Sequence, residues 1–416
     1  STAGDSIVSG GDNNTLVGTN AGTAITTGDN NTAFGYLASR VITTGSNNVS
    51  VGAGGNLGAN TTGAGNTAVG YASLSGNTTA SNNVAVGFDS LGANTTGTEN
   101  LAAGFNALND NTTASYNTAL GSQSMGLNTT GHSNTATGNS SLYSNTTGIQ
   151  NTAFGRSALT NNTTASENTA VGEQCLTANT TGTGNCGLGR QALNNNTTAS
   201  SNTGMGLYAL YANTTGSNNT AFGRSASEGN TTANSNTSIG YQALKQTSTG
   251  ASNVAVGADA LTDNTTGYNN TAVGKSALEV NTTGQQNTAY GTSAGHKLTT
   301  GSQNTCIGYV SGNALTTGTY NVFLGRAAGG SVTTDSNQLY IARDNTGVGN
   351  AATWIYGNSA GSCYQGSNAS TWSQVSDERI KKDIVDSPNG LAKIDAIQVR
   401  NFNFRTEEEI TVEGLT

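Results

Sequence analysis

A serine and a lysine near the C-terminus have residue types and a spacing that suit covalent chemistry. They are Ser376 and Lys381, within the stretch VSDERIKKDI at 375–384, where six of ten side chains are charged although only 9% of the whole chain is. A lysine with a lowered pKa can act as the base that activates a nearby serine. From the spacing alone a different interpretation is favoured, in which Lys381 and Lys382 are charges on a helix surface.

The other chemistry-bearing residues form no recognisable site. Glycan cleavage needs two carboxylates about 5–10 Å apart, but the acids of the repeat region are scattered and are interpreted as surface charges. Those acids are Asp89, Glu99, Asp110, Glu167, Glu173, Glu228 and Asp263. The two histidines, His132 and His296, are almost ten repeats apart, and the four cysteines lack metal-ligand spacing. We therefore expect no metal and no cofactor.

A repeat with a period of seventeen runs through most of the chain. Its mark is the pentad Asn-x-small-apolar-Gly, which occurs nineteen times from NTLVG at 14–18 to NVFLG at 321–325, with one slip in spacing near Gly54 and Gly55. The second and fourth pentad residues are β-branched or apolar and the third is small, as in NTAVG at 66–70. This alternation with a period of two predicts a short strand in each repeat.

Two further features complete the repeat. An Ala-Leu pair, such as Ala107-Leu108, follows the pentad and predicts a second strand. The repeat then closes with one of thirteen Asn-Thr-Thr triplets, usually before Gly or Ala, which predicts a turn. Stacked at a constant period, side chains such as Asn60 and Asn77 can form a hydrogen-bonded ladder.

The triplets also match the sequence of N-glycosylation sites. Because no eukaryotic secretion signal is in view, stacked turns are favoured over an array of glycans. A lattice of threonine hydroxyls at the spacing of the repeats is a further hypothesis, less favoured, in which the solenoid binds ice or a polysaccharide.

Two strands and two turns in each repeat make one coil of a solenoid, whose coils pair about 4.8 Å apart. The predicted fold class is all-β: a parallel β-solenoid, or β-roll, of about nineteen coils, one for each repeat, on the order of 90 Å long. The terminal coils differ from the central ones, as caps do. They have Ile25, Ile42, Leu298 and Leu315 in place of the triplet asparagine.

The pentads NTAVG and NVAVG, with Ala-Leu and a Thr-Gly turn, resemble the repeats of trimeric autotransporter adhesin heads over roughly residues 14–342, although the unit here is longer. The resemblance implies a left-handed β-roll that assembles as a homotrimer. Each coil buries about two sizeable apolar side chains, which contribute roughly 1.5–3 kcal/mol each, whereas ordering the backbone costs about 1–2 kcal/mol per residue. A single coil is therefore not stable alone, and burial of a second face against partner chains would add to its stability. Either the alanine stripe from Ala68 to Ala170 or the stripe of Val, Phe and Leu faces the partners.

Composition bears on the other partners. The net charge of −8 is spread thinly, without a basic patch, so we expect no binding to nucleic acid. No apolar run approaches the roughly 18–20 residues of a membrane span, so we expect no membrane insertion. The chain opens without Met or a signal-like apolar segment, which indicates a processed or excerpted product, or export by another route.

The composition changes after the last repeat. Both tryptophans lie in an aromatic neck, and charged side chains are concentrated at 376–416, which also contains the only proline, Pro388. These shifts predict a lead-in at 1–13, the solenoid shaft at 14–342, the neck or linker at 343–375, and a short α-containing segment at 376–416.

The stretch STWSQVSDERIKKDIVDSPNGLAKIDAIQVRNFNF resembles the start of the C-terminal intramolecular chaperone domain of phage tailspikes, tail fibres and endosialidases. Its Ser-Asp-x-Arg-x-Lys motif is formed by Ser376, Asp377, Arg379 and Lys381. The resemblance implies that the domain trimerises, guides folding and cuts itself off beside the serine, with Ser376 and Lys381 as the dyad. At most this is a single-turnover autoproteolysis, and the segment that follows Val375 covers only the start of that domain.

The predicted function is therefore a trimeric fibre of a virion tail, a tail fibre or tailspike shaft that attaches to a glycan or protein receptor on the host cell. The alternative is a bacterial trimeric adhesin at the cell surface. Near-identical coils specify the register between neighbouring chains weakly, because sliding one chain by one coil against another changes contacts only at the ends. A non-repeating chaperone segment would fix that register.

Overall fold

The computed structural model describes residues 3–4, 11–344 and 353–365, whose strands form one 22-stranded sheet, and no helix is present among these residues. The strands are β1 (Thr15–Val17), β2 (Thr32–Phe34), β3 (Val49–Val51), β4 (Thr67–Val69), β5 (Val84–Val86), β6 (Leu101–Ala103), β7 (Thr118–Leu120), β8 (Thr135–Thr137), β9 (Thr152–Phe154), β10 (Thr169–Val171), β11 (Cys186–Leu188), β12 (Thr203–Met205), β13 (Thr220–Phe222), β14 (Thr237–Ile239), β15 (Val254–Val256), β16 (Thr271–Val273), β17 (Thr288–Tyr290), β18 (Thr305–Ile307), β19 (Val322–Leu324), β20 (Leu339–Ala342), β21 (Thr353–Gly357) and β22 (Cys363–Gln365).

Strands β1 to β19 each pair in parallel with the next strand along the chain, which confirms the predicted parallel β-solenoid. The register follows the repeat, so that Thr67 of β4 lies opposite Val84 of β5. Between β3 and β4 the spacing is one residue longer, with Val49 opposite Thr67. The extra residue is accommodated at Gly54 and Gly55, which have φ angles of +83° and +81°.

The predicted second strand is wrong, because the Ala-Leu pairs lie in turns. Leu108 and Leu159 have φ angles of +53° and +51°, in the left-handed region where an extended strand cannot continue. The N–H of Leu108 still donates to the carbonyl of Ser124 on the next coil, over 2.9 Å. Burying a leucine contributes about 1.5–3 kcal/mol, which offsets the roughly 1–2 kcal/mol cost of its left-handed backbone.

The interior is filled by the middle residue of each strand and by the turn leucine. Ala102 and Leu108, for example, are both fully buried. The alanine stripe from Ala68 to Ala170, one of the two candidates for the partner-facing side, is also fully buried. The first and third residues of strands β1 to β20 therefore lie on the outside of the solenoid.

The terminal coils fill this interior differently. Ile25, Ile42, Leu298 and Leu315 are fully buried, so these residues, predicted to mark caps, belong to the core. The turn-leucine position of the same coils is occupied by the small residues Gly22, Ser39, Gly295 and Gly312. A Cβ atom on Gly295 would lie only 2.9 Å from Cδ2 of Leu278. In these terminal coils one large apolar side chain is therefore kept, at the triplet position instead of the turn-leucine position.

Strand direction changes at the C-terminal end of the solenoid. Strands β20 and β21 pair antiparallel, as do β21 and β22. The small middle residue is replaced by Phe323 and then Tyr340, whose rings lie 5.8 Å apart, and Tyr340 contacts Tyr356 at 5.1 Å. These aromatic rings fill the interior at this end; Phe323 and Tyr340 belong to the predicted shaft and Tyr356 to the predicted neck. Residues 376–416, predicted to contain helix, lie outside the described residues.

Candidate assembly face

The outer side of strands β1 to β20 is the strongest candidate for a functional surface. We call it the strand face and define it as the first and third residues of these twenty strands. The first residue is threonine in most strands, and the third residues, all apolar except Thr137, form a file that we call the apolar file. The apolar file consists of Val17, Phe34, Val51, Val69, Val86, Ala103, Leu120, Thr137, Phe154, Val171, Leu188, Met205, Phe222, Ile239, Val256, Val273, Tyr290, Ile307, Leu324 and Ile341.

Much of the apolar file is exposed to solvent in a single chain. Phe34 and Phe154 are each 57% exposed and Tyr290 is 61% exposed. Contiguous apolar patches on soluble monomers rarely exceed a few hundred Å². Twenty strands about 4.8 Å apart, each three residues wide, make a strand face on the order of 900 Å², of which the apolar file is one side and the mostly threonine file is the other. A surface of this kind indicates an interaction site.

The strand face has no charged residue over its whole length. The charged residues of the described solenoid, from Asp12 to Asp344, all lie elsewhere on the coil. Depletion of charge, together with aromatic and methionine side chains such as Phe154, Phe222 and Met205, is typical of the core of a protein interface.

Next to the strand face runs a flanking file, formed by the residue two positions after the third residue of each strand. Several of its members pair with one another along the solenoid axis. The rings of Tyr71 and Phe88 are stacked 5.2 Å apart, and Glu173 forms ion pairs with Arg156 and Arg190 on the two adjacent coils. Such exposed ion pairs contribute little stability. Several members of the flanking file thus find partners within their own chain.

Two buried asparagine ladders hold the coils in register beneath this surface. The predicted ladder of triplet asparagines is confirmed, with Asn94 donating from Nδ2 to Oδ1 of Asn77 over 2.9 Å. A second ladder, formed by the pentad asparagines that precede each strand, was not predicted. Asn100 donates to Oδ1 of Asn83 over 3.1 Å, and Asn83 donates to the carbonyl of Gly97 over 2.9 Å. Its sequence signal was a polar residue kept in all nineteen repeats.

The triplets do not offer what the alternative hypotheses require. Asn77 and Asn94 are fully buried, so their side chains cannot accept a glycan in the folded chain. The first threonine of a triplet uses its hydroxyl within the fold, as Thr95 donates from Oγ1 to the carbonyl of Thr112 over 2.9 Å. Only the second threonine, such as Thr96, is exposed. The triplets therefore present one file of exposed hydroxyls along the solenoid.

The predicted catalytic residues Ser376 and Lys381, with Asp377 and Arg379 of the same motif, lie outside the described residues. Within the described part, no group of three or more His, Cys, Asp or Glu side chains is placed to hold a metal ion. Oε2 of Glu279 lies 3.6 Å from Nδ1 of His296, and the two side chains form an ion pair when the histidine is protonated.

The four cysteines are free. Burial raises the pKa of Cys175 and of Cys306 from 9.0 to about 12. These two thiols therefore remain neutral at physiological pH and serve as core side chains. Cys363 is exposed and Cys186 is half-buried.

No helix among the described residues combines the length and the apolar character that crossing a membrane requires. No protein-family model matches this chain, and no curated protein matches it significantly. The resemblances to adhesin heads and to the phage chaperone domain accordingly rest on the quoted sequence motifs alone.

Proposed function

We propose that this chain is the shaft of a homotrimeric virion tail fibre or tailspike with a role in host attachment. The observation that carries the proposal is the strand face, an uncharged strip as long as the solenoid itself whose apolar file has many exposed side chains. A long rod with such a strip suits a structural element that assembles with copies of itself.

Parallel copies of the same chain fit the strand face well. Its side chains recur with every coil, about 4.8 Å along the axis. The side chains of a second copy aligned in register have the same spacing and therefore meet them coil by coil. Around an axis parallel to the solenoid, each Phe154 and each Phe222 meets its equivalents at one level. The strip, on the order of 900 Å², reaches the roughly 800 Å² per partner of a stable interface. The number three comes from the resemblance to adhesin heads.

The assignment to a virion tail is supported by the motif at Ser376–Lys381. The shaft alone specifies the register between neighbouring chains weakly, because shifting one chain by one coil leaves most of the apolar file matched. A trimerising chaperone would fix that register. Long parallel β arrays also fold slowly, with exposed edges. The receptor is a glycan or protein on the host cell surface.

Light scattering on the full chain tests this function. The expected mass is three times the 41.6 kDa of one chain, and electron microscopy is expected to show rods on the order of 90 Å long. A stable monomer would contradict the assembly. A trimer that fails to bind any susceptible host cell would contradict the attachment role.

A further inference from the structure

The apolar interior of the solenoid is divided into separate clusters. The longest cluster ends at Ala226, and the next begins at Ala243. Between them lies Ser238, the middle residue of β14, where most strands have alanine. Among the described strands serine is the middle residue only here and at Ser50, and both positions fall between two of the three clusters.

A second serine faces Ser238 inside the solenoid. Ser227 occupies the position that the neighbouring coils fill with Leu210 and Leu244, and all three side chains are buried. Ser227 donates from Oγ to Oγ of Ser238 over 2.9 Å. Two hydroxyls therefore meet where other coils pack a leucine against an alanine. The coil loses the apolar burial of that leucine.

The ladder of triplet asparagines breaks on the same coils. Thr247 stands in place of an asparagine, and its buried Oγ1 has no hydrogen-bond partner. Oδ1 of Asn230, on the preceding coil, is also buried without a partner. On the following coil Asn264 donates to the carbonyl of Gly267 over 2.9 Å, but the side chain of Thr247 gives it no ladder oxygen. Both links that join one asparagine to the next are thus missing at this point.

We infer that Ser227, Asn230, Ser238 and Thr247 form a polar seam that divides the shaft into two units, which open and fold separately. Buried polar groups without partners destabilise the coils that contain them. In a repeat array, stability is the sum of each repeat and its contacts with its neighbours, so opening begins where that sum is smallest.

The seam is a region of low stability, but the coils on its two sides remain hydrogen-bonded to each other. The second ladder continues across it, since the N–H of Asn236 donates to Oδ1 of Asn219 over 2.9 Å. Backbone bonds between coils also continue, as from the N–H of Ser227 to the carbonyl of Ala243 over 2.9 Å. The sheet therefore holds the rod together while the interior at the seam is poorly packed and poorly paired.

Hydrogen exchange measured by mass spectrometry on the full chain tests the seam. Amides at 219–252 are expected to exchange at least about tenfold faster than those at 134–201, since one lost buried hydrogen bond corresponds to roughly that factor. The triple variant Ser227→Leu, Ser238→Ala and Thr247→Asn installs the residues that most coils use. Its exchange at 219–252 is expected to fall to the level of the flanking coils.

Thr249→Asn is the matched control, because it makes the same change as Thr247→Asn at an exposed position two residues away and is expected to leave the exchange pattern unaltered. The reverse variant, Leu142→Ser with Ala153→Ser, is expected to create a new fast-exchanging region, and it decides the matter should the triple variant not fold. Uniform exchange across 202–264 in the unmodified chain would overturn the inference, as would an unchanged pattern in a folded triple variant.

Discussion

Asn94 donates from Nδ2 to Oδ1 of Asn77 over 2.9 Å, and both side chains are fully buried. The same Nδ2 donates to the carbonyl of Gly97 over 2.9 Å, and Oδ1 of Asn94 accepts from Asn111 at 2.9 Å. Buried amides are tolerated only when they are paired in this way. The ladder thus links one coil to the next through the interior, in addition to the backbone bonds of the sheet.

Replacing Asn94 by alanine is expected to lower the free energy of unfolding by about 3 kcal/mol, because inside the protein Oδ1 of Asn77 loses its partner and Nδ2 of Asn111 loses one of its two acceptors. Chemical denaturation followed by circular dichroism measures this loss. Thr96→Ala, two residues away and exposed, is the control and is expected to change stability by less than about 0.5 kcal/mol. Equal effects of the two substitutions would contradict the role of the ladder.

The glycine that ends each pentad is required by close contact between coils. Gly155 has a φ of +135°, and a Cβ added there would lie 2.6 Å from the carbonyl oxygen of Gly172. Gly155→Ala is expected to destabilise the solenoid by about 3 kcal/mol or more, through both backbone strain and the clash. The matched control is Gly184→Ala.

Gly184 has a φ of +65°, but the nearest atom to an added Cβ is Oγ of Ser201, 4.0 Å away. The control variant therefore bears only the cost of a left-handed alanine, about 1 kcal/mol. Thermal unfolding distinguishes the two, with the lower melting temperature expected for Gly155→Ala. Equal melting temperatures would show that contact between coils does not restrict this position.

The coil was predictable from the repeat, but its second strand was not. A repeat of constant length with one alternating segment requires stacked coils, whatever the details of the turn. The Ala-Leu pair has the apolar character of a strand, and nothing local shows that Leu108 adopts a φ of +53°. Non-glycine residues rarely take that conformation. Only the burial of the leucine in the assembled solenoid favours it.

The alternation within the pentad placed alanine and valine on opposite sides of the strand but did not show which side is the interior. A larger apolar side chain is normally expected inside, yet Ala170 is fully buried and Val171 is not. A coil this short encloses room for one large side chain, here Leu176. The strand residue that faces this leucine must therefore be small. The limited volume inside the coil thus places alanine on the inner side of the strand and valine on the outer side.

The cysteines allow a test of burial by chemical reactivity. Burial raises the pKa of the Cys175 and Cys306 thiols to about 12, and the thiolate is the reactive form. At pH 8 iodoacetamide is expected to modify the exposed Cys363 in the native protein, and Cys175 and Cys306 only after denaturation. Mass spectrometry of the peptides identifies the modified residue. Rapid labelling of Cys306 in the native chain would contradict its position in the core.

The same shifts predict a dependence of stability on pH. The folded state holds these thiol protons more tightly than the unfolded state, whose cysteines titrate near 9.0. The contribution is therefore complete below pH 9 and is lost as the pH rises from 9 towards 12. Denaturation midpoints measured over this range are expected to fall, and to fall less in the double variant Cys175→Ala and Cys306→Ala. Identical slopes for the two proteins would contradict the assignment.

The motif beside the neck predicts a cleavage reaction. A chain that continues through the complete chaperone domain is expected to appear on a denaturing gel as two fragments, split next to Ser376. Ser376→Ala and Lys381→Arg are both expected to remain intact, because an arginine cannot act as the base. Lys382→Arg is the matched control and is expected to be cleaved. An intact unmodified chain, indistinguishable from Ser376→Ala, would rule the reaction out.

Substitutions on the strand face test whether it is the interface between chains, independently of the proposal that the protein is a fibre. Glutamates at Phe154 and Phe222 place charges in the apolar file, where an assembled interface would bury them at a high cost in free energy. The double variant is expected to run as a folded monomer by light scattering, with unchanged circular dichroism. Thr164→Glu with Thr232→Glu, exposed on the same two coils, is expected to remain trimeric. A trimeric Phe154→Glu, Phe222→Glu variant would exclude the strand face as the interface yet leave the fibre proposal standing, whereas a monomeric unmodified chain would contradict both.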